Sequence, residues 1–281
     1  MNQFVRNILS MVLLLSGMTT AFAQQQNKFR VLAFYTAKED LAHISFVHEA
    51  LPWFDSVGRA EGFRFESTAD WTRLATITKD SFQVLIFLDS RPEAASQRQG
   101  FQRYMQSGGG WMGFHFSGFA LTPSAFNQDW GWYHEHFLGC GQYKSNTWRP
   151  TVAVLKNEQP RHPVLKGLPA TIHAAPNEWY RWELDLRQNK SIKVLLSIDP
   201  SSFPLGSGPK PEEIWHSGDY PVVWTNTRYH MLYFNVGHND MDYECGSNRT
   251  LSSTFSSAEQ NRVIVQGLHW LRNGRTRHVI K

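Results

Sequence analysis

The sequence predicts an α/β fold, a three-layer α/β/α sandwich around a mostly parallel central sheet. In the amino-terminal half, short apolar runs rich in β-branched and aromatic residues alternate with amphipathic stretches, which is the pattern of consecutive βαβ units. No linker rich in Pro, Ser or Gly and no charge run divides the chain. We therefore expect one large domain that spans residues 29–274.

The first two βα units are read from the spacing of apolar residues. Residues 29–35 are predicted to form a strand, and apolar positions three and four apart then mark a helix in which Pro52 predicts a kink or a late start. Strands are expected at residues 63–67 and 84–88, with a short helical turn at residues 78–81 between them.

Pro92 is predicted to open the second helix, because its ring is tolerated in a first turn. That helix ends at residues 107–110 (SGGG), and residues 111–116 form the next apolar strand. Residues 258–271 are predicted to form a closing helix. Later strands, some of them antiparallel because no helix separates the last two, are expected at residues 152–155, 192–198, 222–225 and 231–236.

The first 23 residues predict a signal peptide. Arg6 precedes an apolar run over residues 8–18, and small residues then end at Ala23. The run holds about 10 residues, fewer than the roughly 20 that span a bilayer as a helix. We expect cleavage near Ala23 and a periplasmic or secreted protein without a membrane span. Gln24 stands where a lipoprotein needs Cys, so a lipid anchor is not expected.

Charge argues against a nucleic-acid partner, since the formal net charge of +4 arises from scattered lysines and arginines rather than from a basic stripe. Two cysteines, Cys140 and Cys245, leave two readings open. They pair in an oxidising compartment, or they are two small buried hydrophobic residues. The sequence also leaves the oligomeric state open, a homo-oligomer included.

Polar residues follow several predicted strands at the point where each strand ends. Ligands of open α/β sheets bind outside the carboxyl ends of the strands, so these residues are candidates for one site. They are Thr36, Glu39 and His43 after the first strand, Asp89, Ser90 and Arg91 after the third, His115 after the fourth, and His238, Asn239 and Asp240 after the last.

Residues 113–118 (GFHFSG) resemble the sharp strand-to-helix turn on which α/β enzymes carry a nucleophile. His115 holds the nucleophile position, and neither cysteine is near it in the sequence, so cysteine-dependent amidotransferase chemistry is disfavoured. Ser45 and Ser117 lack a nucleophile motif and are interpreted as cap or turn residues.

Several motifs in this order resemble the trehalose-utilisation (ThuA-like) family, whose fold is flavodoxin-like and similar to class I glutamine amidotransferases. The similarity covers nearly the whole predicted domain. Two departures stand out: His43-Ile44-Ser45 replaces the family's His-Asp-Ser, and Phe116-Ser117 replaces small residues. The matching motifs are His43, 108–115 (GGGWMGFH), 130–133 (WGWY), 162–164 (HPV), 167–169 (GLP), 177–180 (NEWY), 221–224 (PVVW) and 237–238 (GH).

The resemblance implies a role in the catabolism of a disaccharide or keto-glycoside. For the chemistry we expect His115 and His238 to transfer protons, with Glu178 as their carboxylate partner. An open alternative is that the two histidines bind a divalent metal together with His43 and Glu178, although spacing alone does not establish a cofactor. His43, Asp89 and Arg91 are expected to bind sugar hydroxyl groups, and Asp240 is a further candidate.

Aromatic residues provide a second indication of a sugar ligand. Flat rings pack on the apolar faces of pyranoses, so Trp132, Tyr133 and Tyr180 are candidates for substrate binding, while packing in the core explains them equally well. The triplet 134–136 (HEH) is interpreted mostly as surface. Two other functions remain open: a non-catalytic carbohydrate-binding module, and an accessory subunit of a sugar-processing assembly.

Overall fold

The computed structural model describes residues 29–122, 130–147, 150–202 and 218–274. The predicted signal peptide lies outside these ranges. So does most of residues 204–220, a segment whose Pro and Gly content predicts a loop. No helix within the described ranges is long and apolar enough to cross a membrane. The expected α/β fold class is confirmed, with a nine-stranded sheet between helices.

The central sheet has the strand order β2-β1-β3-β4-β11-β10-β9-β6-β7, and β5 pairs with β8 in a separate small sheet. The five strands from β2 to β11 are all parallel, and the strands beyond β11 are antiparallel. The strands are β1 Arg30–Phe34, β2 Arg64–Thr68, β3 Val84–Phe87, β4 Gly110–Phe114, β5 Tyr143–Asn146, β6 Val154–Asn157, β7 Thr171–His173, β8 Tyr180–Trp182, β9 Ile192–Ile198, β10 Pro221–Asn226 and β11 His230–Phe234.

Three α-helices are described: α1 (Leu41–Glu61), α2 (Ala95–Gln106) and α3 (Ala258–Leu271). Helices α1 and α3 pack on one face of the sheet, and α2 packs on the other. Successive side chains of a strand point to opposite faces of the sheet, so each strand contributes to both helix layers. In β1, Val31 faces the α1 side and Leu32 faces the α2 side.

Two sequence predictions about where helices begin were wrong. Helix α1 begins at Leu41, well before Pro52, so the predicted late start is wrong. The helix continues through Pro52, which is exposed, so that the carbonyl group that loses its helical partner can be hydrated. Helix α2 begins at Ala95 rather than at Pro92, which lies before the helix. The short helical turn expected at residues 78–81 is confirmed, because the carbonyl oxygen of Thr78 accepts from the N–H groups of Ser81 and Phe82. A 3-10 helix at Trp71–Ala75 precedes it.

The two cysteines are unpaired, and only Cys140 fits the alternative reading of a small buried hydrophobic residue. Cys140 is buried against the α2 side of the sheet, whereas Cys245 is exposed. Burial raises the pKa of the Cys140 thiol well above its ordinary value. The disulfide reading is therefore wrong in this fold, and Cys140 behaves as a small hydrophobic residue.

Candidate functional site

The carboxyl ends of β1, β3, β4 and β11 lie along one edge of the sheet, because these strands are parallel. The structure brings four predicted site residues together at this edge. We call them the His/Glu cluster: His43, His115, Glu178 and His238. Each of them is at most 8% exposed.

The carboxylate of Glu178 is the centre of the His/Glu cluster. Its Oε2 atom lies 3.2 Å from Nε2 of His115 and 3.8 Å from Nε2 of His238. The side-chain amide of Asn146 donates a hydrogen bond to the other carboxylate oxygen. Asn146 ends β5, and its partner across the small sheet is Tyr180 in β8, so this sheet fixes Glu178 above the edge. Sequence reasoning did not select Asn146.

His115 occupies the sharp turn that the sequence predicted. Strand β4 ends at Phe114, and His115 has a φ of 33°, a left-handed conformation that is uncommon for a residue other than glycine. Two tyrosines contact His115. The hydroxyl group of Tyr233 donates to the His115 carbonyl oxygen at 2.6 Å, and the Tyr180 ring centre lies 3.8 Å from the imidazole centre. Such strain in a buried residue is typical of functional sites.

His238 follows β11 and is positioned by the residue that precedes Glu178. The side-chain oxygen of Asn177 accepts hydrogen bonds from the backbone N–H groups of Gly237 at 2.8 Å and His238 at 3.4 Å. Gly237 has a φ of 134°, which L-residues with side chains rarely adopt. The sequence analysis did not select Asn177. The available signal was its place in the motif 177–180, directly before Glu178.

Burial keeps the three histidines of the His/Glu cluster uncharged at neutral pH. Desolvation lowers the pKa of His115 to about 3, and it lowers the pKa of His43 to about 3 with a further contribution from His115. The pKa of His238 is lowered to about 4, again mainly by burial, although Glu178 opposes the shift. Neutral imidazoles can accept protons and bind metal ions.

A cavity of about 820 Å³ opens beside the His/Glu cluster. His43, the third residue of α1, lines this cavity, and its ring centre lies 5.5 Å from that of His115 and 5.1 Å from that of His238. His115, Glu178 and His238 are buried and are not among the residues that line the cavity. His43 is therefore the cluster member that a ligand in the cavity would contact.

Asp89 lines the same cavity, but its carboxylate is occupied by backbone and side-chain donors. Thr36 donates from its N–H group and from its hydroxyl group, both at 2.8 Å, and the N–H group of Ala37 donates at 2.6 Å. Burial raises the pKa of Asp89 although these hydrogen bonds favour the ionised form. Asp89 thus fixes the loop between β1 and α1, where Ala37 has a φ of 51°.

Arg91 is buried in the cavity wall at 6% exposure. Within the described ranges its guanidinium makes no hydrogen bond and no ion pair, and its buried Nε atom has no partner. Burial lowers the pKa of Arg91 to about 10, so the group remains cationic at neutral pH. Arg91 is available to a ligand, whereas Asp89 is committed to the loop.

Two histidines and one carboxylate of this region could hold a divalent metal ion. Ligand atoms of Asp40, His43 and His238 all lie within 4.8 Å of one another. Two imidazoles and a carboxylate form a donor set that suits Zn²⁺ or Fe²⁺. Asp40, which the sequence analysis missed, is the N-cap of α1, and its position three residues before His43 was the available signal.

Three other predicted ligand-binding residues lie away from the cavity. Tyr133 is fully buried on the α2 side of the sheet and donates to the Ser117 carbonyl oxygen at 2.9 Å, and Trp132 packs on Phe137 with ring centres 5.2 Å apart. The structure therefore places Tyr133 in the core and packs the half-buried Trp132 against it, away from the cavity. Asp240 lies half-buried in the loop after β11, where its N–H group donates to Ser252.

The interpretation of residues 134–136 as surface was wrong for one member. His134 is buried, and desolvation together with the positive charge of Arg91 lowers its pKa to about 3. Glu135 and His136 are exposed, as expected. The difference arises because Trp132–Phe137 form a π-helical turn that presents residues 133, 134 and 137 to the interior.

Comparisons with known proteins were consistent with the resemblance in the sequence. The family ThuA, described as trehalose utilisation, matches residues 30–271. A putative ThuA-like protein from Bacteroides uniformis is 33% identical with a TM-score of 0.73, over 86% of this chain and 91% of that chain. A putative ThuA-like protein from Parabacteroides merdae is 16% identical with a TM-score of 0.61, over 90% and 94% of the two chains. No curated protein matches the chain.

Proposed function

Because the chain belongs to the ThuA (trehalose utilisation) family, we propose that it acts on a disaccharide or keto-glycoside by acid-base chemistry in the His/Glu cluster. The observation that carries the proposal is the carboxylate of Glu178, which faces His115 at 3.2 Å and His238 at 3.8 Å in a site closed to bulk water. Enzymes commonly transfer protons with carboxylate–imidazole pairs of this kind.

His43 connects the substrate to the buried carboxylate in this proposal. It lines the cavity and contacts both other histidines, so a proton removed from a sugar carbon or hydroxyl group passes first to His43. Asp40, whose Oδ2 atom lies 4.0 Å from Nδ1 of His43, stabilises the positive charge on His43. Glu178 stabilises a proton that moves on to His115 or His238. Burial leaves each of the three rings neutral before the reaction, which is the form that can accept a proton.

We propose that this reaction takes place outside the cytoplasm, in the periplasm or after secretion. The support is the arrangement of Arg6, the apolar residues 8–18 and Ala23 in the sequence. Mass spectrometry of the protein isolated from its native source should find Gln24 as the first residue. Recovery of the intact amino terminus from Met1 would contradict the proposal of export.

The experiment on activity incubates the purified protein with trehalose, other disaccharides and their keto-oxidised forms, and follows products by mass spectrometry. We expect consumption of at least one sugar, and we expect His43→Gln to reduce it by a factor of about 100 or more, as for loss of a proton-transfer group. His48→Gln is the matched control, because His48 lies exposed on the same helix.

The same incubation is repeated after treatment with a chelator. Loss of turnover that Zn²⁺ or Fe²⁺ restores would assign Asp40, His43 and His238 to a metal centre. Turnover unchanged by the chelator would leave proton transfer as the task of His43. Tight sugar binding without product in any incubation would contradict the proposed enzyme and favour a carbohydrate-binding or accessory role.

A further inference from the structure

The unpaired guanidinium of Arg91 requires an explanation that the His/Glu cluster does not provide. A buried cation is normally paired, because removal from water weakens its solvation and only a nearby anion compensates for it. Arg91 is 6% exposed, lines the cavity and has neither a hydrogen bond nor an ion pair within the part of the chain that the structure describes. No counter-ion for its guanidinium lies among the described residues.

The carboxylates around the cavity do not supply that counter-ion. Asp89 already accepts three hydrogen bonds from Thr36 and Ala37 and forms no ion pair with Arg91 among the described residues. Glu39, Asp40 and Glu93 line the cavity as exposed side chains, as does Lys38, so water screens their charges. Glu93 acts on Arg91 at long range without forming an ion pair with it.

The amino terminus of α2 adds positive potential to the same wall. Ala94 is the N-cap of this helix of 12 residues, and its side chain cannot accept a hydrogen bond. Ala94 and Gln97 both line the cavity, so the positive end of the helix dipole lies beside Arg91. A planar guanidinium next to a helix amino terminus is an arrangement that binds carboxylate or phosphate oxygens.

We propose that the cavity binds an anionic sugar, whose carboxylate or phosphate oxygens pair with the guanidinium of Arg91 next to the amino terminus of α2. That the ligand is a sugar rests on the proposed function, whereas the anion site follows from Arg91 and its surroundings. The anionic group anchors the ligand at this wall, and His43 lines the same cavity.

The test measures the affinity of the whole protein for D-glucuronate, glucose 6-phosphate and neutral glucose by calorimetry. We expect at least one anionic sugar to bind ten times more tightly than glucose, and the stronger of the two shows whether a carboxylate or a phosphate is preferred. Arg91→Gln should remove this advantage. Arg103→Gln, which removes an exposed arginine from the same helix outside the cavity lining, should preserve it.

A second readout separates a binding role from a structural one. If Arg91 serves a ligand, its removal relieves an uncompensated buried charge, so the ligand-free Arg91→Gln protein should melt at the same temperature as the wild type or higher. A lower melting temperature would show that the guanidinium supports the fold and would overturn the proposal. Equal affinity of the wild type for all three sugars would overturn it as well.

The variant Glu178→Gln tests the anion site separately from the proposed reaction. Glu178 does not line the cavity, so this variant should retain the affinity of the wild type for the anionic sugar. Retained affinity alongside absence of turnover in every protein would refute the proposed acid-base chemistry and leave the anion site standing. Turnover of neutral sugars only, with no binding of either anion, would refute the anion site and leave the chemistry standing.

Discussion

The Oε2 atom of Glu178 lies 3.2 Å from Nε2 of His115, and the two side chains are 6% and 0% exposed. One residue is in the segment that leads into β8, and the other follows β4, so the contact joins parts of the chain 63 positions apart. Water does not screen this contact, which makes it sensitive to the charge on the carboxyl group.

Glu178→Gln should therefore abolish most activity while the fold is kept. The amide has nearly the same shape as the carboxylate but cannot stabilise a positive imidazole, so we expect kcat to fall by a factor of about 100 to 1,000. Steady-state kinetics on the sugar identified in the substrate panel gives the measurement. Unchanged kcat in a correctly folded variant would remove Glu178 from the mechanism.

Asp89→Asn should destabilise the loop between β1 and α1. The carboxylate accepts from Thr36 twice and from Ala37 once, and an amide offers one acceptor oxygen in place of two. We expect the free energy of unfolding to fall by about 1–3 kcal/mol, measured with urea. Thr36→Val removes only the hydroxyl donor, and its cost should be near 1 kcal/mol. Equal stability of Asp89→Asn and the wild type would contradict the structural role.

Stability should fall as the pH falls from 6.5 toward 3, and His134 should contribute to the fall. The pKa of His134 is lowered to about 3 in the folded state, chiefly by burial, from 6.5 in the unfolded chain. Within this interval the unfolded chain binds the proton, so the contribution is complete above pH 6.5 and is lost progressively below it. One such group produces a slope of about 1.4 kcal/mol per pH unit.

The measurement is urea unfolding of the wild type and of His134→Asn at pH 8, 5.5 and 4.5. The difference between the two proteins at pH 8 records the change in packing, because the imidazole is neutral there in both states. Between pH 8 and 4.5 the variant should lose less stability than the wild type. Parallel profiles would contradict the neutral, buried state of His134.

Thiol labelling should distinguish the two cysteines. Cys245 is exposed and should react within minutes in the native protein, whereas Cys140 is buried with a raised pKa and should react only after unfolding. We expect about one reactive thiol per chain in the native state and two in denaturant. If no thiol reacts in denaturant under non-reducing conditions, Cys140 and Cys245 form a disulfide, which would contradict the structure.

Much of the site was predictable because parallel strands end at a common edge. Apolar periodicity located β1, β3, β4 and β11, and the residues after them included His43, His115 and His238. Glu178 was selected from its motif rather than from its position in the sheet. Its supports, Asn146 and Asn177, were missed because they act through contacts with residues far away in the sequence.

The sequence by itself determined the α/β class, the family resemblance and most candidate side chains, because these depend on local periodicity and on motifs. Only the tertiary structure decided which candidates meet. It committed Asp89 to the loop, buried Tyr133 in the core and left Arg91 unpaired. The physical reason is that pairing and burial depend on neighbours brought together by folding, and no spacing along the chain specifies them.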